Sequence, residues 1–404
     1  MQGMIGNNNN DLMEMNRSAI IKILQRREVC SRAEIARLTG LTQAAITKII
    51  AALIEMGIVS EVGSIKGDRN RRSIGLKLNV DKYKIIGVKF SRHMFAVGVF
   101  DISGKMYTQM GNEYPLEENP ETVLASLKRR IREVLEKYEN VVAIGLAVPG
   151  PYLREEGRIA IVTQRPTWHN INFIEEFKEE FPVFIEHDAK AGALASWWFG
   201  EHPQPLHTLA YFLVGDGVGA GIIEQGNLQL GAQGTASEIG HISIDVHGPH
   251  CECGNHGCLE LYCSAPAMLR LARQRMPECF PDKQMQNIEA CNLVFEAARA
   301  GDARALEIVE EIAQYIGYGC VTLIYGYNPD IIVIGDIVSQ GGSLLLPMIQ
   351  KVVRKRVIEE LYNRVEIKIT SLTVDPTLYG AAAIATDNVL KAPSTFLAPK
   401  KQEI

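Results

Sequence analysis

Glu238 to Glu260 reads E-I-G-H-I-S-I-D-V-H-G-P-H-C-E-C-G-N-H-G-C-L-E, and this stretch decides the fold. It gathers His241, Cys251, Cys253 and Cys258 into one turn-rich segment. Thiolates and an imidazole suit a tetrahedral zinc ion. Four protein ligands leave no open position, so the pattern predicts a closed, structural site. Gly248, Gly254 and Gly257 supply the tight turns that bring such ligands together. His247, His250 and His256 are competing ligands that the chemistry alone does not exclude. Ordinary loop thiols at this density would be costly in reactivity, and a disulfide fits poorly because nothing else in the chain has a secreted pattern. Glu238 and Glu260 bracket the segment. Either acid alone reads as a solvated charge; two of them fixed by a metal knot can accept hydrogen bonds from a polyhydroxylated ligand.

The sequence E-x-G-H followed by C-x-C-G-x-x-G-C-L-E resembles the zinc signature of the ROK family (repressors, open reading frames, kinases), and the resemblance extends over nearly the whole chain. It implies His241, Cys251, Cys253 and Cys258 as the ligands of a structural Zn²⁺, with Glu238, His241 and Glu260 lying at a sugar. It also implies an actin-like (ribonuclease H-like), two-lobed α/β sugar-kinase fold.

Outward from that segment, 404 residues are too many for a single core, so two or three domains are expected. Hydrophobic residues make up 47%, enough for a large core, and a net charge of −5 argues against a chain devoted throughout to nucleic acid. The charge is uneven, because Lys66 to Lys77 is strongly basic, which reads as a basic module on an acidic body. Met1 to Asn16 is polar and Asn-rich with no signal-peptide pattern, and no apolar run is long enough to span a membrane. Cys30, Cys263, Cys279, Cys291 and Cys320 read as buried free thiols, so a reducing cytoplasm is expected.

Residues 1–11 are expected to lack structure, and Asn16 to cap a helix running through Ile20, Ile21 and Leu24 to about Arg27. Ser31 and Glu34 form a capping-box pattern, with Ala33, Ile35, Ala36 and Leu38 as a small buried face. Gly40 makes a turn and Thr42 starts a second helix, whose stripe is Ile46, Ile49, Ile50, Leu53 and Ile54. Gln43, Ala44, Thr47 and Lys48 then face outward. Two helices about a glycine turn make a helix-turn-helix, with the N-terminal residues of the second helix on base edges. A strand over Ile58 to Val62 and a second through Ile74 add a wing carrying Arg69, Arg71 and Arg72, suited to phosphates or a narrow minor groove. The expected DNA contacts are Thr42, Gln43, Ala44, Thr47, Lys48, Arg69, Arg71 and Arg72, in a winged helix-turn-helix domain over residues 12–80. Family repressors carry this module, whereas family kinases lack it.

A second domain is expected over residues 82–391. It opens with strands at Ile85 to Val88, Phe95 to Phe100 and Lys105 to Tyr114, a helix over Thr122 to Tyr138 and a strand at Val141 to Val148. In family kinases the first turn reads D-x-G-G-T and cradles ATP phosphates; the matching residues here are Lys89-Phe90-Ser91-Arg92-His93. Gln164 stands where those kinases place a sugar-binding Asn four residues before a Trp, and Trp168 fits core packing equally well. His187-Asp188-Ala189 corresponds to their Asn-Asp-Ala, whose Asp is the general base; Asp188 alone also reads as a helix N-cap. Asp216 replaces Thr in a Gly-Thr-Gly phosphate turn, and Asp336 replaces the second Gly of a Gly-Gly pair. The two halves are expected to repeat one topology, and the residues from Lys391 on to form a polar tail.

These features predict a sugar-responsive transcriptional repressor resembling the NagC/XylR/Mlc-like branch, with no catalytic residues. The expected sugar contacts are Gln164, His187, Asp188, Glu238, His241 and Glu260. The expected partners are a double-stranded DNA operator, a sugar or sugar-phosphate effector, and further copies of the chain in a homodimer or homotetramer; a regulatory protein partner stays open. The alternative is an ATP-dependent sugar kinase with an added DNA-binding head.

Overall fold

The structure, a computed structural model, describes residues 9–66, 72–115, 118–162, 166–177, 181–200, 202, 206–281, 285–372 and 375–397. The N-terminal head is three helices, α1 (Asn9–Arg27), α2 (Arg32–Thr39) and α3 (Gln43–Glu55), followed by the antiparallel hairpin β1 (Val59–Lys66) and β2 (Arg72–Leu78). A two-residue strand, Cys30–Ser31, pairs with β2. The Ser31 hydroxyl accepts from the Glu34 amide at 3.2 Å. Half of the expected capping box is therefore made, while the Glu34 carboxylate turns to Arg27 instead. Gly40 ends α2 at φ 71°, the left-handed conformation that a C-cap glycine adopts at least cost. Thr42 caps α3 through the Ala45 amide at 3.3 Å, and α2 and α3 cross at 115°.

Ile46, Ile50 and Leu53 of α3 are fully buried against Ile20, Ile21 and Leu24 of α1, each contributing about 1.5–3 kcal/mol. Four expectations are corrected here. Helix α1 begins by Asn9, so residues 9–11 are structured and Asn16 lies inside the helix rather than capping it. Ala33 and Leu38 are exposed, because α2 is too short to turn more than Ile35 and Ala36 inward. Ile54 faces solvent. Cys279 is exposed, unlike the other four cysteines outside the metal segment.

The body holds two five-stranded sheets. The first contains β3 (Lys84–Phe90), β4 (Met94–Asp101), β5 (Met106–Glu113), β6 (Val141–Val148) and β7 (Val183–His187), with helix α4 (Pro120–Lys137) between β5 and β6. Its order is β7-β6-β3-β4-β5. The second contains β8 (Thr208–Val214), β9 (Val218–Glu224), β10 (Asn227–Leu228), β11 (Ile331–Gly335) and β12 (Glu366–Ile369), in the order β10-β9-β8-β11-β12. In each sheet the first three strands pair antiparallel, the fourth joins the first in parallel and the fifth joins the fourth in parallel. The repeated topology is therefore present. Helices α6 (Ala265–Arg275), α7 (Asn287–Arg299), α8 (Ala303–Tyr327) and α9 (Gly342–Arg356) complete the second lobe.

Two helices join the lobes: α5 (Asp188–Phe199), which follows β7, and α10 (Pro376–Lys391). Gly87 pairs with Gly98 on one side and Gly145 on the other, a row of glycines across three strands. A Cβ at Gly145 would stand 1.8 Å from the Ala381 carbonyl oxygen, so this row is what lets α10 seat on the first sheet. Gly380 and Ala191 bring α10 against α5 in the same way. The first residue of α5, Asp188, and the cap of α10, Asp375, both open onto one cleft between the lobes.

The expected polar tail is corrected at its start. A helical turn, Pro393–Phe396, and buried Leu397 pack under the head, because the Ser394 amide meets Glu14 at 3.1 Å and the Tyr83 hydroxyl lies 2.6 Å from Met56 O and 2.8 Å from Leu397 O. Among the described residues no single helix is long and apolar enough to cross a membrane.

Candidate functional site

The metal segment is a knot of turns. Ile244 N donates to Gly257 O, Cys251 N to Asn255 O, Gly257 N to Pro249 O and Leu259 N to Ile242 O. Gly257 sits at φ 63°, where a Cβ would meet the Asp245 carbonyl at 1.8 Å, so glycine is required there by both backbone and space. The ligand atoms of His241, Cys251, Cys253 and Cys258 all lie within 4.8 Å of one another. Cys253 Sγ and Cys258 Sγ are 3.7 Å apart, and Cys251 Sγ is 3.8 Å from His241 Nδ1. Thiolates about 2.3 Å from a tetrahedral zinc stand about 3.8 Å apart, so the four donors fit such an ion. His250 and His256 pack edge to face on each other at 5.1 Å, and His247 is exposed, so none of the competing histidines joins the cluster.

The knot places Glu238, His241 and Glu260 on the wall of a cleft of about 520 Å³, which His187 and Asp188 also line. Five of the six expected sugar residues thus come together; Gln164 lies outside the described residues. His187 bridges two acids, with Nε2 3.0 Å from Asp188 Oδ1 and Nδ1 3.4 Å from Glu238 Oε1. Burial alone would lower the His187 pKa, but Glu238 and Asp188 outweigh it and raise it. Burial likewise works against an ionised Asp188, and His187 reverses the effect, leaving the acid below its ordinary range. The N-cap of α5 is His187, with Asp188 one position inside the helix, which corrects the N-cap reading of Asp188. Behind them Lys190 is fully buried with its Nζ 3.7 Å from Glu238 Oε1. Glu260 accepts from the Val218 amide at 3.0 Å. Trp168 is core: it is fully buried and packs on Phe90 at 4.6 Å and Tyr114 at 6.0 Å.

The opposite end of the cleft, where family kinases hold phosphates, is filled by the chain itself. Lys89 Nζ meets Asp375 Oδ2 at 2.6 Å. Burial would lower the Lys89 pKa, but Asp375 and Asp336 more than compensate and hold it charged. Arg92 donates to the Asp216 carbonyl at 3.3 Å. The Asp216 carboxylate takes Asn287 Nδ2 at 2.8 Å and faces His93 Nδ1 at 3.5 Å. Asp336 has φ 73° and ψ −162°, a region populated essentially by glycine alone. Burial pushes its carboxyl up to about 7, with Asp375, Asp216 and Asp188 adding to the shift and Lys89 opposing it.

Three residues of this site escaped sequence reasoning. Asp375 carried only an N-cap signal, an Asp before Pro376. Lys190 was visible as a lone cation in the apolar run A-K-A-G-A-L-A, and Asn287 gave no signal.

On the head, Thr42, Gln43, Ala44, Thr47 and Lys48 are all exposed along the N-terminal turns of α3, and Arg72 is exposed at the start of β2. Arg69 and Arg71 lie outside the described residues.

A winged helical head on a two-lobed, kinase-like body with a cleft between the lobes defines a class of DNA-binding proteins built on a sugar-kinase scaffold. The comparisons with known proteins agree. Residues 85–388 match the ROK family, and residues 16–60 match a winged helix-turn-helix DNA-binding domain. The chain belongs to the ROK family. It is 28% identical to the xylose repressor of Caldicellulosiruptor bescii, over 95% of this chain and 98% of that one. It is 29% identical to the DNA-binding transcriptional dual regulator NagC of Escherichia coli, covering 89% of each. A solved ROK family transcriptional regulator, described as a homologue of the E. coli MLC protein, superposes with a TM-score of 0.77 at 26% identity, over 95% of this chain and 97% of that one. Kinases are relatives too: the glucokinase of Thermotoga maritima is 30% identical over 76% of this chain and 99% of its own length.

Proposed function

We propose that this protein is a sugar-responsive transcriptional repressor and not an enzyme. A head over residues 12–80 grips a double-stranded operator through Thr42, Gln43, Ala44, Thr47, Lys48, Arg69, Arg71 and Arg72. A domain over residues 82–391 binds a sugar through Gln164, His187, Asp188, Glu238, His241 and Glu260. His241, Cys251, Cys253 and Cys258 hold a structural zinc, which fixes three of the sugar-facing side chains, Glu238, His241 and Glu260. A cytoplasmic homodimer or homotetramer would match a two-fold operator. Sugar closing the cleft shifts the population toward a state in which the heads no longer fit DNA, and that requires differential affinity of several kcal/mol between states.

The observation that carries this reading is the asymmetry of the cleft. Five of the six expected sugar residues line one end, while Lys89–Asp375, Arg92–Asp216 and strained Asp336 occupy the phosphate end. The kinase alternative draws on the retained Asp188. ADP release from ATP–Mg²⁺ with a panel of hexoses separates the two. The sensor reading expects background turnover with every sugar, together with a rise in Tm for one of them. Sugar-dependent ADP release returns the chain to the kinases.

A further inference from the structure

We infer that the effector is an uncharged, unphosphorylated sugar, because the chain's own carboxylates already hold the positions at which this cleft would receive a phosphate. The inference rests on the sensor reading above and narrows its ligand class.

A buried phosphate needs converging N–H donors, a helix N-terminus or unengaged cations. Three helices open onto the cleft with their N-termini; α7 does so through Gln286 and Ile288, with its first amides taken up by a capping box of Gln286 and Glu289. The first residue of α5 is Asp188, and its carboxylate takes the Ala189 amide. Helix α10 is capped by Asp375, whose Oδ1 accepts from Thr377 N at 3.0 Å and Leu378 N at 3.4 Å. Asp216 occupies the glycine turn between Gly215 and Gly217, and Asp336 the end of β11. The cations at the phosphate end are spoken for, Lys89 by Asp375 and Arg92 by the Asp216 carbonyl; Lys190 lies buried behind the sugar end, 3.7 Å from Glu238 and without a hydrogen bond. A phosphate dianion would therefore enter an end of the cleft whose walls are already anionic and whose Lys89 and Arg92 are already bonded.

The sugar end asks for the opposite kind of ligand. His187, with a side chain only 6% exposed, leaves Nδ1 without a hydrogen bond, and the facing Glu238 Oε1 also makes none. The two atoms are 3.4 Å apart but misaligned. A hydroxyl reaching them can donate to Glu238 and accept from His187, satisfying both. Only a group that is donor and acceptor at once does this, which is the chemistry of a sugar hydroxyl. Asp188 and Glu260 add acceptors for neighbouring hydroxyls.

The test uses the full chain in thermal-shift screening followed by calorimetry. The ligands are free hexoses, pentoses and N-acetylhexosamines, each matched with its terminal phosphate ester. One free sugar is expected to bind at least about tenfold tighter than its phosphate, a gap of about 1.4 kcal/mol. Its Kd should be unchanged between low and high salt, while screening narrows the gap. Asp336→Gly, which removes one wall charge, should narrow the gap several-fold at low salt. A phosphate ester that binds as tightly as its parent sugar overturns the inference and leaves the sensor reading standing. A gap that ignores both salt and Asp336→Gly overturns the electrostatic reason given for it. If no ligand of either kind shifts Tm, the sensor reading falls and the inference with it.

Discussion

Replacing Asp336 with glycine should make the protein more stable, and by an amount that depends on pH. At φ 73° and ψ −162° the aspartate backbone stores roughly 1–3 kcal/mol that glycine does not, against about 0.5–1 kcal/mol for the extra chain freedom of glycine in the unfolded state. The carboxyl adds a second cost. Lys89 on β3, Asp375 at the cap of α10, Asp216 in the glycine turn and Asp188 on α5 set its charge environment, and burial lifts it from an ordinary 3.8 to about 7. A raised acid binds its proton more tightly when folded. Its penalty is absent below the unfolded value, grows as pH rises through 4 to 7, and then levels off at roughly 4 kcal/mol. The net gain for Asp336→Gly is therefore roughly 5 kcal/mol at pH 8 and about half that at pH 5. For a lobe of about 150–250 residues that is a rise in Tm of about 10–20 °C at pH 8. Differential scanning fluorimetry of both proteins from pH 5 to pH 8 reads it directly. A variant less stable than the parent at pH 8, or a gain that does not shrink toward pH 5, refutes the reasoning.

Other consequences follow from the knot and the head. Cys258→Ser should abolish stoichiometric zinc, measured by a chromogenic chelator on the unfolded protein, and lower Tm by more than the loss of one buried thiol explains; a variant that keeps one zinc per chain contradicts the four-ligand site. Because Glu238, His241 and Glu260 ride on that knot, the same variant should lose sugar binding. Lys48→Ala should weaken operator binding roughly evenly across sequences and reduce the slope of log K against log salt by about one, read by anisotropy titration at several salt concentrations. Ile50→Ala, at a fully buried position of α3, should cost about 2–5 kcal/mol in head stability, seen as an earlier unfolding step.

What could be read in the sequence was whatever is close in the chain. The metal-capable quartet spans only His241 to Cys258, so spacing and residue chemistry marked the segment, and the family resemblance picked His241 from among four histidines. The recognition helix declared itself through the period of Ile46, Ile50 and Leu53, and the strands through their apolar runs. The interior of the phosphate end could not be read, because Lys89 and its partner Asp375 are 286 residues apart. The sequence set Lys89, Asp216 and Asp336 apart from the family's kinase pattern; it did not show that Lys89 pairs with Asp375, or Asp216 with Arg92 and Asn287. The same limit hid the docking of Ser394 onto Glu14, 380 residues away, and made a packed segment look like a tail. Leu38 and Ile54 were misassigned because helical periodicity marks a face without saying how wide a face the neighbours cover.

The most direct test is an operator titration. Duplexes selected from a random pool by the purified protein would be labelled and titrated by fluorescence anisotropy, alone and with each free sugar at saturating concentration. The account predicts that one sugar weakens operator binding at least about a hundredfold, which corresponds to roughly 2.7 kcal/mol of coupling, and that ATP–Mg²⁺ changes nothing. Operator affinity unmoved by any sugar that binds the protein would contradict it, because the cleft and the head would then be uncoupled.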